Sequence, residues 1–264
     1  MALGRAALIT NKPPSTQRGE RIYVVGDVHG RVDLMRALFE RIENHLSALP
    51  GNRTVHLVLL GDLIDRGPDS AGVLRFLYNA QKHTDMLVIL RGNHEDMMLR
   101  AIEGEPGVMR AWMRMGGDAT LRSFGIEPPE SDADIMPAAR ALATAIPRPM
   151  LDWLRSLPLT AQSGDYLFCH AGIRPGVAIK RQSREDLLWI REEFLSDTTN
   201  HGVVVVHGHS IATKVEMRPN RIGIDTGAYR TGVLTALYLE DAVREIIAVG
   251  PADAAPAVQS SHGG

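Results

Sequence analysis

The sequence predicts an α/β fold in which two β-sheets pack as a sandwich, helices flank the sheets and a helical cap is inserted. Three observations predict this fold. Short apolar runs alternate with amphipathic segments over about the first hundred residues, residues 97–160 carry a helical pattern, and strand-like runs return in close succession afterwards. Strands that alternate with helices are typical of sheets whose two faces are both covered.

The first part of the chain predicts three units of strand, polar loop and helix. Strands are predicted over 21–27, 55–62 and 85–93, and helices over 31–49, about 68–82 and from about 95. The first helix has apolar residues at helical spacing, and Pro68 suits the first turn of the second helix. Because ligand sites in such sheets lie beyond the carboxyl ends of the strands, the polar loops are where we expect a site.

The last part of the chain predicts further strands. They lie over 166–172, 203–209, 221–225, 233–239 and 244–249. Several follow one another without an obvious helix between them. We therefore expect antiparallel strands that form a second sheet.

The domain organisation follows from composition along the chain. Residues 1–19 are polar and predict a flexible N-terminal segment, and residues 250–264, rich in Ala, Pro, Ser and Gly, predict a disordered tail. The intervening residues 20–249 are expected to form one domain that includes the helical cap at about 97–160. A chain of 264 residues is long enough for a large core in one domain.

The overall composition excludes several classes of protein. The formal net charge of −2 gives no general attraction to nucleic acid or to an acidic membrane surface, so we expect neither as a partner. No apolar run approaches the roughly 18 residues of a membrane span. Cys169 is the only cysteine, which rules out an intramolecular disulfide and favours a reducing, cytoplasmic location.

Three polar motifs follow the first three predicted strands: "GDVHG" at 26–30, "GDLIDRG" at 61–67 and "RGNHE" at 91–95. Each motif alone is typical of a turn, since Gly, Asp and Asn are common in loops. Three in the same structural context favour a shared site at one edge of the sheet.

The side chains at these strand ends are hard oxygen and imidazole ligands without a thiolate, which suits manganese, iron or zinc better than calcium. The candidate ligands are Asp27, His29, Asp62, Asn93, His170 and His209. One carboxylate can bridge two ions about 3.5–4 Å apart, and water held by both ions is a nucleophile near neutral pH. The ligand types therefore predict a dinuclear site that activates a hydroxide.

Three further residues supply the rest of a phosphate-ester hydrolysis. Arg66 has a planar fork of donors that suits phosphate oxygens. His94, oriented by Asp65, is expected to protonate the leaving group as a general acid. Metal ligands, a phosphate-binding arginine and an acid together indicate hydrolysis of a phosphate ester.

The three motifs, in this order, resemble the hallmark motifs of the PPP serine/threonine phosphoprotein phosphatases, in the bacterial and phage-type branch of the calcineurin-like metallophosphoesterase superfamily. "CHAG" at 169–172 and "HGHS" at 207–210 resemble two later histidine motifs of that family. The resemblance covers roughly residues 21–249. It implies a metallophosphoesterase-type fold, in agreement with the two-sheet expectation.

The resemblance also implies how the ligands are shared. It assigns Asp27, His29 and Asp62 to a first metal, and Asp62, Asn93, His170 and His209 to a second. His207 competes with His209 for the last position, and the spacing before "GHS" favours His209. The alternative for His170 is a buried histidine of the core.

The same resemblance implies the catalytic set His94, Asp65, Arg66 and Arg191. Arg191 matches a phosphate-binding arginine in "LLWIREEF" (187–194), although a helix-surface position beside two glutamates is the alternative. Asp225 and Tyr229 are expected to be structural neighbours of the site. Trp112 and the methionines of 97–115 are expected to form the core of the cap.

The function predicted from these residues is a serine/threonine protein phosphatase with two divalent ions, manganese first and iron or zinc as alternatives. The competing enzyme is a symmetrical bis(5'-nucleosyl)-tetraphosphatase that hydrolyses diadenosine tetraphosphate. The substrate is therefore a phosphoprotein or a phosphorylated small molecule. A binding scaffold without activity is disfavoured because every ligand and the acid are present. The sequence does not determine an oligomeric state.

Overall fold

Two five-stranded sheets pack face to face in the computed structural model, which describes residues 12–105 and 107–253. The strands are β1 (Glu20–Val25), β2 (Thr54–Leu59), β3 (Leu87–Ile89), β4 (Thr160–Ser163), β5 (Tyr166–Cys169), β6 (Val204–His207), β7 (Glu216–Met217), β8 (Arg221–Gly223), β9 (Leu234–Glu240) and β10 (Val243–Val249). The predicted two-sheet α/β fold is confirmed.

Helices cover the sheets and fill the segment between β3 and β4. They are α1 (Val32–Ala48), α2 (Ser70–Gln81), α3 (Asn93–Ile102), α4 (Val108–Trp112), α5 (Asp118–Ser123), α6 (Ile135–Ala145), α7 (Arg148–Ser156), α8 (Arg184–Trp189), α9 (Glu192–Leu195) and α10 (Ala228–Thr231). A π-helical turn spans Met113–Gly117, and short 3₁₀ turns span Asp132–Asp134 and Ile179–Arg181.

The first sheet has the order β10-β9-β1-β2-β3. Strands β1, β2 and β3 are parallel, with Val25 opposite Leu59, and β9 runs antiparallel to β1. The prediction that β9 and β10 belong to the second sheet is wrong. Six of the seven residues of β9 are buried, so this strand needs cover on both faces and finds it beside β1 in the first sheet.

The second sheet has the order β4-β5-β6-β8-β7 and is mixed rather than antiparallel. Strand β5 pairs in parallel with β6, and β6 with β8, whereas the edge strands β4 and β7 are antiparallel to their neighbours. Helices α8 and α9 form the crossover that parallel pairing requires. These helices are only six and four residues long, too short for a clear periodic signal.

Three apolar layers hold these elements together. One lies between the sheets and includes Ile22 and Phe168. A second joins the first sheet to α1, α2 and the helices of 97–160, and a third joins the second sheet to α8 and α9. Each fully buried Leu or Phe side chain contributes about 1.5–3 kcal/mol from burial.

The helices of residues 97–160, hereafter the cap segment, share the core of the first sheet. Trp112 and Leu142 are fully buried in the same cluster as Leu38 of α1. The expectation that this segment has a core of its own is therefore wrong. Its apolar side chains join the helices that cover β1, β2 and β3, which places the segment beside the carboxyl ends of those strands.

The two predicted flexible ends of the chain lie only partly within the described residues. Residues 1–11 and 254–264, which include most of the predicted flexible segment and tail, lie outside the described residues. Within the described part, Ser15 N–H donates to Asp165 Oδ2 at 2.9 Å and Thr16 N–H to the Asp241 carbonyl at 3.0 Å.

No helix of the described part combines the length and apolar character needed to cross a membrane.

Candidate metal centre and active site

The six predicted metal ligands lie together at one edge of the sandwich, where strands of both sheets end. They are all buried: Asp27, His29, Asp62, Asn93, His170 and His209. The loop after β1 carries the first two, and the loop after β2 carries the third. The remaining ligands follow β3, β5 and β6, so the site lies between the two sheets.

The Asp62 carboxylate is at the centre of this cluster. Its Oδ1 lies 3.3 Å from His170 Nε2, and its Oδ2 lies 3.6 Å from His29 Nε2. Two compact groups with metal-ligand spacing share Asp62, one with His29 and His94 and the other with His170 and His209. The two oxygens of one carboxylate thus face different histidines, as a bridging ligand requires.

Asp27 belongs to neither compact group. Its Oδ2 accepts the backbone N–H of His209 at 3.0 Å, while its Oδ1 is buried and has no hydrogen-bond partner among the described residues. Burial raises the pKa of Asp27 well above its ordinary value, and the charges of Asp225 and Asp62 raise it further. A buried carboxylate oxygen without a donor is what a cation would satisfy.

Backbone carbonyls set the tautomers of two histidines. His29 Nδ1 lies 2.7 Å from the Ile64 carbonyl, and His170 Nδ1 lies 3.0 Å from the Leu60 carbonyl. A carbonyl only accepts, so each Nδ1 carries the proton and each Nε2 presents a lone pair to the cluster. Such a bond from the second nitrogen is typical of metal-ligating histidines.

The electrostatics of the cluster favour neutral imidazoles around an ionised carboxylate. Burial lowers the pKa of His29 to about 3 and that of His209 to about 2. Burial alone would raise the pKa of Asp62, but the nearby imidazoles of His170 and His94 hold it below its ordinary value. Converging lone pairs, an ionised carboxylate and the unpartnered Asp27 oxygen fit a dinuclear divalent metal site.

The predicted acid pair is in hydrogen-bond contact. His94 Nδ1 lies 2.6 Å from Asp65 Oδ2, and both side chains are buried. Burial opposes an imidazolium, but the charges of Asp62 and Asp65 raise the pKa of His94 above its ordinary value. His94 Nε2 faces the cluster, 3.7 Å from Asp62 Oδ2.

The two predicted phosphate-binding arginines lie on different sides of the cluster. Arg66 NH1 is 2.8 Å from His29 Nε2, and its guanidinium stacks on the Tyr229 ring with 4.9 Å to the centroid. Arg191 directly precedes α9, is exposed, and its positive charge lowers the pKa of His170 and His209 beyond the effect of their burial. Both guanidinium groups therefore act electrostatically on the cluster.

Backbone conformation also marks this region. Six described non-glycine residues have a positive φ, and five of them are candidate site residues: His29, Asp62, Asp65, Arg66 and His209. Left-handed backbone is unfavourable for residues with a side chain and persists where the surroundings hold it. These turns direct successive side chains into the cluster.

Glu95 is a site residue that the sequence reasoning missed. Its fully buried carboxylate accepts the backbone N–H groups of Asp62, Leu63 and Gly92 at 3.0, 2.8 and 2.9 Å. Burial and the nearby Asp62 raise the pKa of Glu95 to about 7. A Cβ on Gly92 would lie 2.2 Å from Asp62 Oδ1, so only glycine fits there. The sequence signal for Glu95 was the last residue of "RGNHE". Its carboxylate stabilises the backbone of the turns and has no proposed part in the reaction.

Helix α3 begins at Asn93, earlier than predicted. His94 N–H, in the first turn, donates to Asp62 Oδ1 at 3.1 Å, so the positive end of the helix faces the central carboxylate.

His207, the competitor of His209, lies on β6 against the Phe194 ring and is in neither compact group. Asp225 accepts the Gly227 N–H at 2.8 Å beside the cluster.

Two residues of the cap segment also reach the site without a signal in the sequence. Trp112 and Thr120 both donate hydrogen bonds to the Asp65 carboxylate. They are 47 and 55 residues away from it along the chain. Only the packing of α4 against α3 and of α5 against α2 brings them together.

Comparison with known proteins gives one family and two kinds of relative. A model of the calcineurin-like phosphoesterases matches residues 20–233. The chain is 30% identical over 167 residues to the symmetrical bis(5'-nucleosyl)-tetraphosphatase of Vibrio cholerae serotype O1, covering 62% of this chain and 50% of that protein. It is 31% identical over 227 residues to serine/threonine-protein phosphatase 1 of Salmonella typhimurium, covering 83% and 92%.

Structural comparison indicates the same fold. A solved structure provisionally named a diadenosine tetraphosphatase superposes with a TM-score of 0.59 at 23% identity, over 90% of this chain and 98% of that one. The chain spans about half the length of the tetraphosphatase relatives it matches. The matched family region contains all six candidate ligands and the acid pair.

Proposed function

Because this chain belongs to the calcineurin-like phosphoesterase family, and is thus a metal-dependent phosphate-ester hydrolase, we propose that it is a serine/threonine protein phosphatase. The observation that carries the proposal is the extent of similarity. The protein phosphatase relatives align over almost their whole length, whereas the tetraphosphatase relatives align over about half of theirs. A common domain size supports a common substrate class.

The proposed roles of the chain's own residues follow from the geometry. Asp27, His29 and Asp62 would hold one divalent ion, and Asp62 with Asn93, His170 and His209 the other. Ions bound there would supply Lewis-acid activation of water and of the phosphoryl group. We propose manganese, since the donors are carboxylates, an amide and neutral imidazoles. The lone buried Cys169 supports a cytoplasmic location.

The remaining site residues bind the phosphate and deliver a proton. Arg66 and Arg191 would hold the non-bridging phosphate oxygens with charge-assisted hydrogen bonds. His94 Nε2 would give its proton to the leaving oxygen of the serine or threonine. The bond from Nδ1–H to Asp65 Oδ2 keeps the imidazole in the orientation that this transfer needs.

The second candidate function is symmetrical hydrolysis of diadenosine tetraphosphate. Relatives with this name match at 30% identity, and the solved structure with the same activity in its name superposes over most of both chains. Both reactions use the same metal site and acid. They differ in the part of the substrate beyond the phosphate groups, which is a peptide in the first reaction and an adenosine in the second.

A direct comparison of substrates tests the proposal. Purified full-length protein with manganese is assayed against phosphoserine and phosphothreonine peptides and against diadenosine tetraphosphate, and kcat/KM is measured for each. The proposal predicts faster turnover of the phosphopeptides. Preferred cleavage of the dinucleotide to two adenosine diphosphates would establish the second candidate instead. An Asp62→Asn variant is the control for contaminating phosphatases.

A further inference from the structure

Two buried side chains of the cap segment bind the carboxylate that orients the acid. The Trp112 indole Nε1–H donates to Asp65 Oδ2 at 2.7 Å, and the Thr120 hydroxyl donates to Asp65 Oδ1 at 2.5 Å. Both side chains have no exposed surface. Each oxygen of Asp65 thus has a donor from the cap segment, in addition to the bond between Oδ2 and His94.

The cap segment also supports the backbone of this turn. Asp65 and Arg66 have φ values of +73° and +67°, which are unfavourable for residues with side chains. Asp65 N–H donates to Thr120 Oγ1 at 3.0 Å and to Ser70 Oγ at 2.9 Å, and Arg66 N–H donates to the Gly116 carbonyl at 3.1 Å. The unfavourable turn is therefore held from the cap side.

The local structure of the cap segment is adapted to this contact. Gly116 lies in the π-helical turn with a φ of +103°, and a Cβ there would lie 2.7 Å from Arg66 Cγ. A π-helical turn widens a helix and is frequent at functional sites. It allows α4 to present Trp112 and α5 to present Thr120 to one carboxylate.

We propose that Trp112 and Thr120 are positioning residues that fix the Asp65 carboxylate, and through it aim His94 Nε2 at the leaving oxygen. The inference rests on the proposed function, in which His94 protonates that oxygen. A purely structural role would affect all substrates alike. A positioning role affects substrates according to how much their leaving group needs a proton, because a good leaving group departs unprotonated.

The test measures kcat/KM for a series of aryl phosphates with leaving groups from phenol to 2,4-dinitrophenol, with manganese present. Trp112→Phe keeps an aromatic side chain but removes the N–H donor together with part of the buried indole ring. We expect roughly tenfold slower hydrolysis of phenyl phosphate and a change below about twofold for 2,4-dinitrophenyl phosphate, as partial loss of general acid catalysis. Thr120→Val should do the same, and Thr120→Ser, which keeps the hydroxyl, should restore the wild-type dependence.

The chain provides matched controls within the same segment. Trp153 in α7 donates its indole N–H to Gln81 Oε1 at 2.6 Å, and Thr144 in α6 donates to the Arg140 carbonyl at 2.9 Å. Trp153→Phe and Thr144→Val remove the same groups away from Asp65. These variants should leave the dependence on leaving group unchanged.

A double-variant comparison separates positioning from stability. In a His94→Asn background, Trp112→Phe should have no further effect on phenyl phosphate, because the group through which it acts is gone. Metal content and thermal unfolding are measured on every variant, and Trp112→Phe carries the test if Thr120→Val does not fold. Equal slowing of all aryl phosphates, or an additive loss in the His94→Asn background, would overturn the inference. Wild-type protein that hydrolyses neither the aryl phosphates nor the phosphopeptides would instead overturn the proposed function on which the inference depends.

Discussion

The Asp62 backbone N–H donates a hydrogen bond of 3.0 Å to the Glu95 carboxylate, which joins the loop after β2 to the first turn of α3. The same carboxylate accepts Leu63 N–H and Gly92 N–H. Because Asp62 is the proposed bridging ligand, Glu95 would fix the position of the carboxylate that the two ions share. Leu63 and Gly92 contribute no side chain to the cluster. The loops after β2 and β3 that contain them are nevertheless both held by the Glu95 carboxylate.

Replacing Glu95 by Gln should therefore disturb the metal centre without removing a ligand. One acceptor oxygen becomes an NH₂ group that faces backbone N–H donors, at a cost of about 1–3 kcal/mol for the unsatisfied groups. We expect a lower free energy of unfolding and weaker manganese binding, measured by urea denaturation and metal titration. Glu103→Gln is the control, since Glu103 forms an exposed ion pair with Arg155 at 3.1 Å. Equal effects of both substitutions would refute the role of Glu95 in positioning the Asp62 loop.

Asp62→Asn and His94→Asn should impair the enzyme in different ways. Asp62→Asn removes the charge shared by the two proposed ions, so bound manganese and activity should fall together. His94→Asn removes the acid, so the ions should remain and hydrolysis should slow by about 10²–10⁴-fold, most for poor leaving groups. Elemental analysis of both purified variants, alongside their kinetics, distinguishes these outcomes. Full metal content in Asp62→Asn would contradict the bridging assignment.

Arg191 should contribute to catalysis without holding the metal. Removing its charge in Arg191→Ala loses charge-assisted hydrogen bonds to phosphate, worth about 1.5–3 kcal/mol, so kcat/KM should fall roughly ten- to hundredfold. Manganese content should not change. Arg148→Ala in α7 is the matched control, because Arg148 is an arginine of the same chain whose side chain is 80% exposed. Unaltered kinetics in Arg191→Ala would favour the helix-surface alternative for this residue.

The thiol of Cys169 should be unreactive in the folded protein despite its position beside His170. The side chain has no exposed surface, and burial raises the pKa of the thiol to about 12. Because the thiolate is the reactive form, a disulfide-exchange reagent at pH 8 should label the native protein only as fast as it unfolds. Labelling should become rapid and stoichiometric in denaturant. Fast native labelling that abolishes activity would indicate an accessible thiol at the site.

The sequence predicted which candidate ligand residues lie together more completely than it predicted the sheet order, for a physical reason. Asp27, His29 and Asp62 follow strands with clear apolar runs, and the carboxyl ends of parallel strands meet at one edge of a sheet. Whether β9 pairs with β1 or joins the second sheet depends instead on which position in the sandwich covers both faces of the strand. A largely apolar strand of seven residues, six of them buried, carries no such information.

Contacts from the cap segment to Asp65 were unpredictable for a different reason. The expectation that Trp112 is buried is correct. The pattern does not show which polar group meets the indole N–H, because that depends on the π-helical turn at Gly116. Helix geometry that departs from 3.6 residues per turn is not visible as periodicity.

The most direct test of the central claim is a crystal structure of the full chain grown with manganese and measured for anomalous scattering. Two anomalous peaks about 3.5–4 Å apart are expected. One Asp62 oxygen should lie on each ion, with His29 on one ion and His170 on the other. A single peak, or two peaks of which only one contacts Asp62, would contradict the shared dinuclear centre.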